Sequence, residues 1–253
     1  MTALVGCLGG GQLGRMLALA GAPLDVRLRF LDPASEACAR DVGELLVGAY
    51  DDPACLERLA DGTDAVTYEF ENVPVEAARS VGALPKARAL ELGQDRLVEK
   101  ELFRRLGIRT APFGTLSEVG LPALVKFRRL GYDGKGQRLV EAPGAIGDNE
   151  LAEGVVDFER ELSIVAVRGR TGETAFYPLA ENEHRGGILA VSRAPAGDAP
   201  QRAAEEIATR LLEELDYENE ARNQGTFAAL YADNPQVRVP AVIASHSTRR
   251  VLT

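Results

Sequence analysis

From Val5 to Met16 the chain reads V-G-C-L-G-G-G-Q-L-G-R-M. An apolar run meets three consecutive glycines, and a helical run begins at Gln12. Gly9, Gly11 and Gly14 fit G-x-G-x-x-G. This order restricts the fold more than any composition figure does. It describes a buried strand, a turn that glycine makes easily, and a helix whose free N–H groups and positive dipole end face that turn. The pattern alone suits a dinucleotide, a different phosphate ester, or a tight turn that holds no ligand. Asp32 closes the second apolar run, about where a dinucleotide fold puts its ribose-binding acid, so an NAD-dependent oxidoreductase is one reading.

The alternation continues past the loop. Ala3–Leu8, Val26–Leu31, Glu44–Val47 and Asp64–Tyr68 read as strands. Gln12–Ala20, Pro53–Ala60 and Val75–Val81 read as helices, the second with proline in its first turn. Strands alternating with helices imply a parallel sheet covered on both faces, an α/β domain over residues 1–92. Gln94–Leu106 reads as one helix stopped by Gly107, and Pro112 marks a linker. The texture then changes. Short strand-like runs at Leu124–Phe127, Arg138–Val140, Glu161–Val167, Thr174–Pro178 and Ile188–Val191 are separated by glycines. These predict a second, mainly antiparallel α+β domain over 93–212. Ala203–Leu215 is helical in pattern and continues so to Tyr231, and Val237–Ala244 and Arg250–Leu252 read as closing strands.

Among 253 residues, 45% are apolar and 26% charged, which is ordinary for a globular chain with a real core. A net charge of -9 argues against a general nucleic-acid surface. The basic cluster of Lys126, Arg128 and Arg129 suits a small polyanion instead. Three cysteines (Cys7, Cys38 and Cys55) match no metal or redox spacing, and Cys7 falls in an apolar run. Free buried thiols suggest a reducing compartment, and the cytoplasm is the expected location. The N-terminal run carries no basic flank and is broken by glycines, so it does not read as a signal peptide. No segment reaches about 18 uninterrupted apolar residues, so no membrane span is expected.

Further stretches carry charge in suggestive places. Gly131-Tyr132-Asp133-Gly134-Lys135-Gly136-Gln137 is a glycine-rich hairpin between two strand-like runs. It can close over phosphates with Lys135 as a point charge, or it can be a plain β-turn. Glu153 precedes Val155 and Val156. An acid at the start of a strand can bind ribose hydroxyls, and a short apolar stretch can offer backbone hydrogen bonds to adenine. The bland alternative is a solvated charge run. His184 sits in the polar stretch Glu181–Arg185, where a lone histidine is commonly structural or exposed.

Taken in order, GGGQLGRM, TYEFENVP, QDRLVEKELFRRLGIRTAPF, GYDGKGQ, FERELS and FYPLAENEHRGGIL with SRAPA resemble the 5-(carboxyamino)imidazole ribonucleotide synthases. These are ATP-grasp enzymes of purine synthesis, and the resemblance covers residues 1–212. It implies a Rossmann-like pre-ATP-grasp domain followed by an incomplete ATP-grasp domain. It implies ATP-dependent carboxylation of 5-aminoimidazole ribonucleotide. Bicarbonate attacks the γ-phosphate to give carboxyphosphate, and the exocyclic amine captures the carbon dioxide released from it. Small-molecule substrates, Mg²⁺ and a homodimer are implied, with no nucleic-acid or membrane partner. By position, Arg96 and Lys126 would contact ATP phosphates, with Lys126 and Lys135 the catalytic charges. Gly131 to Gln137 would form a flap, and Glu153, Gly154, Val155 and Val156 would line the adenine. Glu161 would bind the ribose, and His184 would lie near the nucleotide. Gln12, Leu13, Glu71, Tyr132, Asp133 and Lys135 would touch the aminoimidazole ribonucleotide.

The chain departs from the family pattern in three places. Phe127 and Leu130 replace residues that are usually small or polar in K-T-R-R-G-G-Y-D-G. The connection from Val140 to Glu153 is short. After Leu215-Asp216-Tyr217 the family stretches V-G-V-x-A-x-E and N-E-x-A-P-R, which carry two metal-binding glutamates, do not follow. Residues 213–253 resemble instead part of an atypical kinase-like family, with an E-x-D at Glu214 and Asp216. Without the two carboxylates the expectation is an ATP-grasp fold with little turnover, or a nucleotide-binding remnant.

Overall fold

The computed structural model of the chain describes residues 2–131, 136–169 and 171–214. It separates into two compact units, one running to Asp95 and one starting at Arg96.

In the first unit β1 (Ala3–Leu8), β2 (Val26–Asp32), β3 (Glu44–Val47) and β4 (Ala65–Tyr68) form a parallel sheet in the order β3-β2-β1-β4. Helices α1 (Gln12–Gly21), α2 (Pro53–Ala60) and α3 (Val75–Ser80) follow β1, β3 and β4. Adjacent residues of the central strands enter opposite layers. Leu8 and Leu31 pack with Leu56 and Leu59 of α2 on one side, while Cys7 and Phe30 pack with Ala18 of α1 on the other. That is why β1 is apolar throughout rather than alternating, whereas β2 carries Arg27 and Arg29 between its apolar residues. The α2 start follows from its sequence. Asp52 accepts from the Ala54 N–H at 2.9 Å, and Pro53 occupies a position whose N–H would have no helical partner.

The helix expected at Gln94–Leu106 is shorter, and α4 (Ala87–Gly93) precedes it as a separate helix. Gln94 explains the break. Its side-chain amide donates to the carbonyls of Glu71 at 2.6 Å and Val73 at 2.8 Å, which ties this corner to the loop after β4.

The second unit opens with α5 (Arg96–Arg105). Every strand pair in it is antiparallel among the described residues. The main sheet runs β5-β8-β6-β7, from β5 (Phe113–Gly114), β6 (Ala123–Phe127), β7 (Gln137–Val140) and β8 (Glu150–Gly154). The short α6 (Leu116–Val119), held by a Thr115–Glu118 capping box, covers one face through Leu116, against Ala123, Val125 and Ala152. The expected strand Glu161–Val167 is two strands, β9 (Glu161–Ser163) and β10 (Ala166–Arg168). β10 pairs with β11 (Thr174–Phe176), whereas β9 pairs with β12 (Ala180–Arg185), which pairs in turn with β13 (Ile188–Arg193). Strands β8 and β12 carry little sequence signal because E-L-A-E-G and A-E-N-E-H-R are poor in β-branched residues. α7 (Gln201–Glu214) is the last described element. The expected continuation to Tyr231 and the two closing strands lie outside the described residues. No described helix is long and apolar enough to cross a membrane.

Candidate functional site

In the first unit the glycine loop between β1 and α1 is filled from within. The Glu69 carboxylate, one residue past β4, accepts from the Gly11 N–H at 2.6 Å and from the Gly14 N–H. Asp32 receives the Gly10 N–H at 2.8 Å, the Ala34 N–H at 2.8 Å and the Tyr50 hydroxyl at 3.0 Å. The N–H groups and the strand-end acid of the G-x-G-x-x-G pattern therefore serve internal carboxylates. The glycines are explained the same way. Gly9 has φ +101°, and a Cβ there would meet the Glu69 Cγ at 2.6 Å. A Cβ on Gly11 would stand 2.7 Å from Glu69 Oε1. Glycine is needed because a side chain comes close, not because a pyrophosphate does. Burial, and then the Glu69 charge, pushes the Cys7 thiol up to about 12. Burial, then Asp32, raises Tyr50 as well. Gln12 and Leu13 extend outward from the first turn of α1, and Glu71 is exposed with its carbonyl bound by Gln94.

In the second unit the charges converge on β6 and β8. Lys126 pairs in register with Leu151 and Gln137, and Glu153 with Leu124. Lys126, Leu124 and Glu153 thus share one face of the sheet, opposite the core face of Val125 and Ala152. Lys126 Nζ donates to Glu153 Oε2 at 3.0 Å, and Lys100 Nζ of α5 lies 3.1 Å from the same oxygen. Lys100 also donates to Thr110 Oγ1 at 2.9 Å. Burial pushes Glu153 up, but the Lys126 bond and the two ammonium charges outweigh it and hold the carboxyl below its ordinary range. Glu153 is the fourth residue of β8 and buried, because this strand is covered on both faces.

Arg96, at the start of α5, organises the segment after β6. Its N–H donates to the Arg128 carbonyl at 3.0 Å, its Nε to Phe127 O at 3.1 Å and its Nη2 to Gly131 O at 2.7 Å. Val155 and Val156 follow β8 and are half exposed, and Gln137 is exposed on β7. Glu161 and His184 are brought together from β9 and β12, with Nδ1 3.2 Å from Oε1. Tyr132, Asp133, Gly134 and Lys135 lie outside the described residues, as does everything after Glu214. Sequence reasoning missed Glu69 and Lys100. Glu69 stands two residues before Glu71 in T-Y-E-F-E-N, and only the fold shows that it turns inward. Lys100 left a usable signal, since four residues after Arg96 it lies on the same helical face.

Leu130 has φ +63°, a left-handed conformation that costs an L-residue about 1–2 kcal/mol, and its side chain is exposed. Leu130→Gly is therefore expected to stabilise the second unit by about 0.5–1 kcal/mol once the extra freedom of glycine in the unfolded chain is subtracted. A urea titration followed by circular dichroism reads this as a higher midpoint. An unchanged or lower midpoint would show that Leu130 contributes packing which its exposure does not suggest.

A parallel-sheet unit followed by an antiparallel unit with a lysine–glutamate cluster on its main sheet defines an ATP-grasp chain. Family models agree: a ribonucleotide synthetase preATP-grasp domain matches residues 1–94 and an ATP-grasp domain matches residues 106–219. An ABC1 atypical kinase-like domain matches residues 186–253. The chain is 45% identical over 235 residues to N5-carboxyaminoimidazole ribonucleotide synthase of Pseudomonas aeruginosa, covering 84% of this chain and 65% of that protein. It is 43% identical over 240 residues to the Brucella melitensis enzyme of the same name, covering 84% and 66%. The solved synthetase of Thermus thermophilus matches with TM-score 0.75 and 51% identity over 83% of this chain and 64% of that one. The Staphylococcus aureus synthetase complexed with ADP matches with TM-score 0.76 and 31% identity, over 83% and 63%. Over most of its length the chain is similar to the N5-carboxyaminoimidazole ribonucleotide synthases. It spans just under two thirds of the length of the curated relatives it matches.

Proposed function

We propose that the chain binds ATP through its second unit and also binds aminoimidazole ribonucleotide, as for ATP-dependent carboxylation in purine synthesis. The observation that carries the nucleotide half is Lys126, an ammonium 22% exposed on β6 and held at 3.0 Å by a buried carboxylate. Lys126 offers a positive charge to phosphate oxygens there. Arg96 and its three backbone bonds shape the segment that leads into the 131–137 hairpin, whose charge is Lys135. Backbone of Glu153 to Val156 lines the adenine, and Glu161 beside His184 takes the ribose hydroxyls. Similar proteins solved in complex with ADP support nucleotide binding by this chain. Gln12, Leu13 and Glu71 of the first unit receive the aminoimidazole ribonucleotide; Tyr132, Asp133 and Lys135 are the further residues that the resemblance implies for it. Its phosphate does not take the α1 N-terminus, because Glu69 already fills that position.

Magnesium fits less well. Among the described residues no three His, Cys, Asp or Glu side chains are grouped closely enough to hold a metal ion. The family stretches that the resemblance implies for two metal-binding glutamates are not read after Tyr217. The 253-residue chain is therefore expected to bind nucleotide but to turn over slowly. Melting the chain with ADP or ATP and magnesium tests the binding. Excess ligand at about a hundred times its Kd should add roughly 2.7 kcal/mol of stability, and NAD should add none. Lys126→Met should remove most of that gain. A shift with NAD, or none with ATP, overturns the reading, while brisk bicarbonate-dependent phosphate release overturns the expectation of slow turnover.

A further inference from the structure

Lys100 is the buried charge that this reading does not use. Its side chain is 12% exposed, Lys126 is 22% exposed and Glu153 is 7% exposed. One carboxylate oxygen, Glu153 Oε2, lies 3.0 Å from the Lys126 ammonium and 3.1 Å from the Lys100 ammonium. Stability alone gives no reason for this. A single lysine already neutralises the carboxylate, and a second one adds the cost of desolvating another ammonium and places a like charge beside the first. Among the described residues the cluster thus carries two ammoniums to one carboxylate, with side chains 7–22% exposed. Thr110 supplies Lys100 with a neutral acceptor at 2.9 Å and no further negative charge. Such an excess is balanced when an anion arrives from outside.

Resting on the proposed nucleotide site, we infer that Lys100 is a positioning residue for the phosphates. It keeps Glu153 compensated, so that Lys126 can turn from the carboxylate to the polyphosphate without leaving a buried charge unpaired. Lys100 itself stays on Glu153 and Thr110 and does not touch the ligand. If Lys100 were absent, Lys126 would be the sole counter-ion of Glu153, and each phosphate contact would have to be made against that pairing. The effect should grow with ligand charge and vanish for a ligand with no phosphate.

Calorimetric titration of the whole chain with ADP, AMP and adenosine tests this, using wild type, Lys100→Met and Lys100→Arg. Lys100→Met should weaken ADP binding about tenfold, the size of one charged hydrogen bond, with a smaller effect for AMP and none for adenosine. Lys100→Arg keeps the charge and should recover most of the ADP affinity. Wild-type ADP affinity in Lys100→Met overturns the inference alone. An equal loss for ADP and adenosine also overturns it, because that is the mark of a structural role. A wild-type chain that binds no ADP overturns the nucleotide reading itself. Should Lys100→Met not fold, the ratio of ADP to adenosine affinity in Lys100→Gln decides, and a ratio equal to wild type refutes the role.

Discussion

Truncating Glu153 to alanine is expected to cost the second unit about 3–5 kcal/mol, the penalty for leaving buried charge without its partner. The geometry makes this site worse than an ordinary broken pair. Lys100 and Lys126 converge on one oxygen at 3.1 and 3.0 Å, so removing that oxygen leaves two ammoniums facing each other. Because the chain has no tryptophan, circular dichroism in urea is the practical readout, and the midpoint should fall sharply. Adding Lys100→Met to Glu153→Ala should restore part of the loss, since one of the repelling charges then disappears. The dependence on pH has a definite sign. Burial raises Glu153, but the Lys126 bond and the two lysine charges lower it more. A carboxyl held below its unfolded value of 4.5 contributes stability that is complete above that value. The contribution disappears as pH falls through the lower folded value. The gap between wild type and Glu153→Ala should therefore be constant near neutrality and narrow only below about pH 4.5. A gap under about 1 kcal/mol at pH 7 would mean that water reaches both ammoniums and that the cluster is a surface feature.

How much of this was legible beforehand depended on which physical signal each residue leaves in a sequence. The parallel unit was nearly all legible. Ala3–Leu8 is a continuous apolar run because both faces of the sheet are covered there, Val26–Asp32 keeps Leu28, Phe30 and Leu31 for the core, and Pro53 after Asp52 announces a helix start. In the antiparallel unit β8 was invisible, since its identity as a buried strand comes from neighbours on both faces rather than from E-L-A-E-G itself. Glu153 was legible as a candidate, but its counter-ions were not. A lone acid reads as solvated unless its counter-ions are known, and those come from α5 and β6, 53 and 27 positions away by the numbering of Lys100 and Lys126. The glycine loop shows the same limit in reverse. Its pattern was read correctly as a strand feeding a helix N-terminus. What the N–H groups bind could not be read from it, because a pyrophosphate and an internal carboxylate make the same demand on the glycines.

That equivalence leads to the second large effect. Glu69→Ala should lower the stability of the first unit by about 2–4 kcal/mol, since the Gly11 and Gly14 N–H groups lose a charged acceptor and each such bond is worth about 1.5–3 kcal/mol. Water can reach the half-buried Gly11 in the variant, which keeps the loss below the full sum. Glu69→Gln should cost less, as the amide oxygen can still accept from one N–H while its NH₂ meets the other. The variant should also gain what the wild type lacks. With the carboxylate gone, two unpaired N–H groups and the positive end of α1 form an open anion site. Millimolar inorganic phosphate or sulfate should then raise the melting temperature of Glu69→Ala clearly more than that of wild type, in which Glu69 occupies the position. Equal responses in the two proteins would show that the loop is open to anions already. In that case the internal carboxylate could not be what separates this G-x-G-x-x-G turn from a phosphate-binding one.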